Sequence, residues 1–114
     1  MTADYESSIH AQRFDVLYDG NALIGLIETV CEGDELMIVN VAIEPSRQGM
    51  GLGTRLMRHA EELARAANLR ATRLYTNKLM RENIALYERL GYVFEKETHH
   101  DLGTVAVHMV RPIS

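Results

Sequence analysis

A glycine-rich turn between an apolar run and a helix-forming segment constrains this chain more than any other feature. The apolar run covers residues 39–43, and Gly49, Gly51 and Gly53 follow it within a span of five residues. Glycine adopts left-handed backbone conformations without a steric cost and leaves the neighbouring N–H groups accessible. A helix that begins at Leu52 would direct the positive end of its dipole to the same place. The stretch therefore predicts a binding site for an anionic group such as a phosphate.

Composition places the chain among ordinary soluble globular proteins. It has 114 residues, of which 46% are hydrophobic and 25% are charged, so we expect a single domain over residues 1–114. No apolar run approaches the roughly 20 residues of a membrane span, and the N-terminus lacks a signal-peptide pattern. We expect a cytoplasmic protein without a membrane partner. The single cysteine, Cys31, excludes an intrachain disulfide and a cysteine-based metal cage, and we expect no metal.

Charge is distributed unevenly along the chain, although the net charge is only −4. Residues 1–46 contain nine acidic residues and one basic residue, Arg13, whereas residues 47–114 contain eleven basic and seven acidic residues. The basic half could hold a polyanionic cofactor while the acidic half attracts a cationic substrate. An uneven distribution of charged residues on the surface of a small protein explains the same numbers of acidic and basic residues equally well. We expect no nucleic-acid partner, because glutamates interrupt the arginines and aromatic stacking residues are lacking.

The order of predicted elements indicates one compact α/β (α+β) unit. Residues 1–13 suggest a short helix or a tail, and Asp19-Gly20-Asn21 between two β-rich runs is typical of a hairpin. Apolar residues at steps of three and four trace one face of a helix from Leu52, and a second predicted helix over residues 81–90 ends at Gly91. The predicted strands cover residues 14–18, 22–30, 35–43, 71–76, 92–97 and 104–111.

Two common phosphate-binding loops do not fit the glycine turn. An NTP-binding loop requires Gly-Lys-Ser/Thr, but Gly53 is followed by Thr54 and Arg55. A dinucleotide-binding loop has a different glycine spacing and an acidic residue after the following parallel strand. Neither class is therefore indicated.

Three segments, in order along the chain, form a recognisable set of motifs. The first, Gln48-Gly49-Met50-Gly51-Leu52-Gly53, fits the pattern Gln/Arg-x-x-Gly-x-Gly/Ala directly after a strand. The second is Leu74-Tyr-Thr-Asn77, and the third runs from Asn83 through Tyr87 to Gly91-Tyr92, with Ala85 one place nearer the asparagine than in the family pattern. Together they resemble the GNAT superfamily of acyl-CoA-dependent N-acetyltransferases, and the resemblance covers roughly residues 14–111. It implies a mixed, mostly antiparallel sheet with two main helices around a splayed central strand pair.

The resemblance also implies acetyl-CoA as co-substrate and a set of residues that contact it. The glycine-loop amides would bind the pyrophosphate, and the strand before the loop would pair with the pantetheine arm. Arg47, Arg55 and Lys78 are candidates for the 3′-phosphate or simply for a solvated basic surface. The expected cofactor-binding residues are Val41, Ala42, Ile43, Gln48, Gly49, Met50, Gly51, Leu52, Gly53, Thr54, Asn77, Asn83 and Tyr87.

For catalysis, the resemblance implies that Tyr87 donates a proton to the departing thiolate. A primary amine must also lose a proton before it attacks, which a carboxylate can accept directly or through water. Among Glu28, Glu35 and Glu44, we select Glu35, because it opens the strand that the cofactor is expected to line.

Family members usually have a strand and two helices before the first hairpin, whereas about a dozen residues precede Phe14 here. We therefore expect a truncated member or a homodimer in which another subunit completes the tail. The leading hypothesis is an N-acetyltransferase that works by direct attack of an unknown amine. The alternatives are a non-catalytic acyl-CoA-binding module and a structural protein that keeps only the fold.

Overall fold

The computed structural model describes residues 12–113, which form six strands and two main helices. The prediction for residues 1–11 lies outside the described residues, whereas Gln12 and Arg13 belong to the first strand. In chain order the elements are β1 (Gln12–Asp19), β2 (Ala22–Glu32), β3 (Glu35–Ile43), a 3₁₀ turn (Pro45–Arg47), α1 (Leu52–Ala66), β4 (Ala71–Asn77), α2 (Arg81–Arg89), β5 (Val93–His99) and β6 (Val105–Pro112).

The described strands form one sheet in the order β1-β2-β3-β4-β6-β5. All neighbouring strands are antiparallel except β3 and β4, which are parallel. This arrangement confirms the predicted mixed, mostly antiparallel sheet with two helices. The first hairpin turns at Gly20, whose φ of 62° lies in the left-handed region that glycine adopts without strain.

The central parallel pair separates after a short contact. β3 and β4 pair only through Glu35 with Ala71, Leu36 with Thr72, and Met37 with Arg73. On its other side β3 stays paired with β2, but the register shifts there. Glu28 faces Asn40 and Thr29 faces Ile38, which leaves Val39 as an extra residue in β3. Such a bulge bends a strand locally, so the end of β3 diverges from β4 and opens a gap in the sheet.

A single apolar core fills the space between the sheet and α1. On α1, Leu56, Met57, Ala60 and Ala64 are buried at the spacing that places them on one helix face. Full burial of a leucine or methionine side chain contributes about 1.5–3 kcal/mol. The end of α2 joins the same core. The core residues from the sheet and from the end of α2 are Ile27, Leu36, Ile38, Leu74, Val107, Met109, Leu90 and Tyr92.

Tyr92 anchors the segment after α2 in this core. Its side chain is almost fully buried, and its hydroxyl shares a 2.7 Å hydrogen bond with Thr72 Oγ1 on β4. Burial raises the pKa of Tyr92 to about 12, so the hydroxyl keeps its proton at neutral pH. The hydrogen bond therefore fixes the start of β5 against β4.

Replacing Tyr92 by Phe would leave the buried Thr72 hydroxyl without this partner. We expect the free energy of unfolding to fall by about 1–3 kcal/mol, measured by urea denaturation with circular dichroism. Tyr75→Phe is the matched control, because the Tyr75 side chain is exposed and its change should stay within about 0.5 kcal/mol. Equal losses in the two variants would contradict a stabilising role for the Tyr92–Thr72 hydrogen bond.

Candidate active site

A cleft of ≈ 500 Å³ lies where β3 leaves β4. Three parts of the chain build it: the end of β3, the glycine loop with the first turn of α1, and the inner face of α2. Its lining residues are Val41, Ile43, Arg47, Gln48, Gly49, Gly51, Leu52, Gly53, Thr54, Met57, Asn83, Leu86 and Tyr87. Residues that are distant in sequence therefore meet at the gap in the sheet.

The glycine loop presents free backbone amides to this cleft. Gly49 and Gly51 have φ angles of 85° and 80°, and Gly51 is the residue that precedes α1. The first helical hydrogen bond runs from the Arg55 N–H to the Gly51 carbonyl at 3.1 Å. The N–H groups of the first turn before Arg55 thus have no partner within the helix, and no side chain caps them. A Cβ built on either glycine meets no atom within 4 Å, so this side of the loop is open.

Two polar side chains border the loop. Gln48 donates from its side-chain amide to the Ile43 carbonyl at 3.4 Å, which ties the loop to the end of β3. Arg47 donates to Asp19 Oδ2 at 2.8 Å and also lines the cleft, with 30% of its side chain exposed. These groups add one positive charge and one neutral donor beside the amides.

Tyr87 and Asn83 line the opposite wall of the cleft. They are four residues apart on α2 and therefore lie on one face of the helix. The Tyr87 ring meets Tyr92 edge-on, with the ring centroids 6.2 Å apart and the planes at 61°. Burial raises the pKa of Tyr87 above its usual value. The phenol is consequently protonated at neutral pH and is able to donate.

Three residues expected at the cofactor do not line the cleft. Ala42 lies between Val41 and Ile43, and alternation along the strand directs its side chain to the other face of the sheet. Met50 is largely exposed, and Asn77 Oδ1 accepts a hydrogen bond from the Leu79 N–H at 2.8 Å. Asn77 thus shapes the turn before α2.

Met57 and Leu86 form apolar parts of the cleft wall and were not among the residues expected there. Helical spacing could have indicated both residues as part of the site. Met57 lies four residues after Gly53, and Leu86 lies three residues after Asn83, so each shares a helix face with a residue that was selected.

Glu35 lies away from the cleft, at the opposite end of β3. The rise of about 3.3 Å per residue places it roughly 20 Å along the strand from Val41. Its carboxylate accepts from Arg73 Nε at 2.7 Å and contacts Arg70 at 2.8 Å. The structure therefore does not bring the predicted general base to the site, because Glu35 belongs to the part of β3 that is still paired with β4.

The remaining charged candidates have other partners or lie elsewhere. Glu44 accepts from the backbone N–H of Ser46 at 3.1 Å, and Glu28 accepts from Gln12. Lys78 pairs with Glu97 at 2.9 Å, and Arg55 lines a separate, smaller cavity beside β1. Of the three basic candidates, only Arg47 lines the main cleft.

A sequence model described as the acetyltransferase (GNAT) family matches residues 2–92, and the chain belongs to this family. The uncharacterized protein YxbD of Bacillus subtilis (strain 168) is 29% identical over 83 residues, which cover 73% of this chain and 51% of YxbD. The chain thus spans about half the length of that curated relative.

Solved structures support the same fold. The ribosomal-protein-S18-alanine N-acetyltransferase from Escherichia coli superposes with a TM-score of 0.82 at 23% identity, covering 100% of this chain and 77% of that chain. A Bacillus subtilis acetyltransferase in complex with CoA gives a TM-score of 0.83 at 17% identity, covering 99% of this chain and 83% of that chain. Within residues 12–113, no helix is long and apolar enough to cross a membrane.

The ion pair between Arg73 and Glu95 predicts a pH dependence of stability. Arg73 donates two hydrogen bonds to Glu95, at 2.6 and 3.0 Å, which lowers the pKa of Glu95. A carboxylate with a lowered folded-state pKa stabilises the fold above its unfolded-state pKa, and this contribution is lost as the pH falls through the folded-state value. We expect the free energy of unfolding to decline below about pH 4.3.

In Glu95→Gln this acid-dependent decline should be smaller than in the unchanged protein, as measured by urea denaturation at a series of pH values. Glu88→Gln, at an exposed position of α2, is the control and should keep the full decline. Identical pH profiles for the two variants would count against the Arg73–Glu95 pair as a source of the dependence.

Proposed function

We propose that the protein is an N-acetyltransferase that transfers the acetyl group of acetyl-CoA to a primary amine by direct attack. One observation carries this proposal: the open amides of the glycine loop and the protonated phenol of Tyr87 line the same cleft. An anion site beside a proton donor suits a phosphate-bearing ligand that also has a leaving group.

The residues of the cleft fit coenzyme A in three respects. The free amides at the start of α1 suit the pyrophosphate, and Gln48 and Arg47 add donors beside them. The edge of β3 beyond Met37 is not paired with β4, so its backbone groups are available to an extended pantetheine arm. Met57 and Leu86 provide apolar surface in the cleft between the glycine loop and α2. The Bacillus subtilis acetyltransferase whose structure is in complex with CoA has the same fold, which supports this assignment.

Bound acetyl-CoA would supply the activated thioester, and the chemistry assigned to the chain is to position it and to move protons. Tyr87 would donate its phenolic proton to the sulfur as the amine nitrogen bonds to the carbonyl carbon and the carbon–sulfur bond breaks. The proton lost by the amine would pass to water, and Tyr87 would regain its proton from water. Asn83, one turn earlier on α2, would offer its side-chain amide to the pantetheine arm, and a backbone N–H on the free edge of β3 would donate to the carbonyl oxygen of the thioester. Glu35 is not part of this proposal, because it is remote from the cleft.

We also propose how the protein assembles and where it is located. Phe14, Val16 and Tyr18 alternate along β1 and are exposed on one face of this edge strand. An exposed edge strand with apolar residues favours pairing with a second copy, so we propose a homodimer. A cytoplasmic location and an amine as acceptor complete the proposal.

A second candidate function is a non-catalytic acyl-CoA-binding module of the same fold. It is favoured by the observation that Glu28, Glu35 and Glu44, the carboxylates selected as possible bases, do not line the cleft. The two functions differ in one measurement, because the module binds acetyl-CoA and releases no thiol on any amine.

Gly51→Ala tests the binding site. The φ of 80° at Gly51 strains an alanine and distorts the amides, so we expect acetyl-CoA affinity to fall by about tenfold or more, measured by isothermal titration calorimetry. Gly20→Ala is the matched control, because Gly20 also has a positive φ and open space around it but lies in the β1–β2 turn. Both variants should lose about 1 kcal/mol of stability, and only Gly51→Ala should lose affinity. Unchanged affinity in Gly51→Ala would argue against the loop as the pyrophosphate site.

Tyr87→Phe tests the proton donor. We expect acetyl-CoA affinity within about twofold of the unchanged protein and thiol release slower by about 10²–10⁴-fold, assayed on a panel of polyamines, amino acids, aminoglycosides and peptide N-termini. Tyr75→Phe removes the same atom from an exposed side chain outside the cleft and should keep full turnover. If Tyr87→Phe retains the turnover of the unchanged protein across the pH range, the donor role is wrong.

A further inference from the structure

A buried carboxylate lies behind the helix that carries Tyr87. Glu61 belongs to α1, yet it is only 3% exposed and faces the core rather than solvent. It accepts two hydrogen bonds from Arg58 Nη1, at 2.8 and 3.1 Å, and lies 3.6 Å from Arg111 Nη1 on β6. One acid thus holds two arginines from two different elements.

Both arginines also bind a single backbone carbonyl. Arg58 Nη1 donates to the Leu90 carbonyl at 3.3 Å, and Arg111 Nε donates to the same oxygen at 3.1 Å. Leu90 directly follows α2 and is its C-terminal cap residue. Cations at this end of a helix interact favourably with its dipole. Glu61, Arg58 and Arg111 therefore form a clamp on the C-terminal end of α2.

The clamped segment determines where Tyr87 lies. The backbone N–H groups of Leu90 and Tyr92 both donate to the Tyr87 carbonyl at 3.0 Å. Between them Gly91 has a φ of 101°, and an added Cβ there would approach Arg111 Nε to 2.9 Å, so the arginine packs directly on the chain reversal. The ring of Tyr92 then supports the ring of Tyr87 edge-on. The clamp thus fixes both the backbone and the ring of Tyr87.

Stability alone does not explain a buried charge at this place. Removal of a carboxylate from water costs several kcal/mol, and apolar residues of similar volume often stabilise a fold equally well. What a satisfied charged network provides is one defined geometry, because the donors and acceptors have fixed directions. The end of α2 is where a defined geometry matters for the cleft.

We propose that Glu61 is a positioning residue for the transfer reaction. Through Arg58 and Arg111 it holds the end of α2 so that the Tyr87 hydroxyl is directed at the sulfur of the departing thiolate. This inference rests on the proposed function, in which Tyr87 is the proton donor. Glu61 itself does not line the cleft.

The first test compares Glu61→Gln with Glu62→Gln. Glu62 is the neighbouring residue on α1, is 71% exposed, and also pairs with an arginine, Arg65, at 2.5 Å. For Glu61→Gln we expect kcat to fall on the order of tenfold while the KM for acetyl-CoA changes by less than about twofold, since small displacements of a catalytic group are costly. Glu62→Gln should keep both parameters.

A double-mutant cycle separates positioning from general support of the fold. If Glu61 acts through the Tyr87 hydroxyl, Glu61→Gln should cause no further loss of kcat in a Tyr87→Phe background. An equal loss of kcat in both backgrounds would overturn the proposal, and so would a loss that appears only in thermal stability.

A second pair of variants keeps the test valid if Glu61→Gln fails to fold. Arg58 and Arg65 lie on the same helix, are 46% and 44% exposed, and each pairs with a glutamate three residues away. Only Arg58 binds the Leu90 carbonyl. We expect Arg58→Gln to lower kcat by about threefold to tenfold and Arg65→Gln to leave it unchanged. Equal kcat values for the two variants would contradict the clamp.

Hydrogen exchange tests the clamp without any acceptor amine. In Glu61→Gln and Arg58→Gln the backbone amides of Leu90, Gly91 and Tyr92 should exchange about tenfold faster, and in the two control variants they should not. Unchanged exchange overturns the positioning role even if the enzyme is active. The proposed function is overturned by a different result: the protein without substitutions binds acetyl-CoA but releases no thiol on any amine. The two failures are therefore distinguishable.

Discussion

The separation of β3 from β4 is the constraint on which the rest of the structure depends. Three residue pairs join the two strands at their start, and the bulge at Val39 then directs β3 away while its contacts to β2 continue. If β3 and β4 stayed paired along their full length, β3 would have no free backbone edge and there would be no cleft. The gap places the end of β3, the glycine loop and α2 around one space, so one irregular residue determines the location of the site.

The two walls of the cleft have different physical support. The glycine wall is open, and its amides are left free because Gly51 turns the chain directly into α1 without a capping side chain. The wall formed by α2 is supported from behind by buried groups, namely the Tyr92–Thr72 hydrogen bond and the charged clamp around Leu90. Open amides beside a firmly held phenol suit the proposed ligand, which would bind through its phosphates at one end and react at its other end.

Local pattern accounts for what could be predicted about the fold. Runs of β-forming residues between turn residues predicted the six strands, and the spacing of Leu56, Ala60 and Leu63 predicted α1, because one-sided burial imposes the period of a helix on the sequence. The glycine loop, Asn83 and Tyr87 were selected together, and the structure places them in one cleft. Glu35 was selected by its position at the start of a strand, and this criterion does not reveal which end of the strand faces the ligand.

The sequence by itself determined the elements, their order, the glycine turn before a helix and the resemblance to the acetyltransferase family, since each of these depends on residues close together in the chain. Only the tertiary structure decided which residues share the cleft, and it removed Ala42, Met50, Asn77 and Glu35 from its wall. It also revealed that Glu61, on a helix face that reads as polar, is buried against Arg58 and Arg111. The physical reason is that strand divergence and side-chain burial depend on contacts between segments far apart in sequence, which no local pattern encodes.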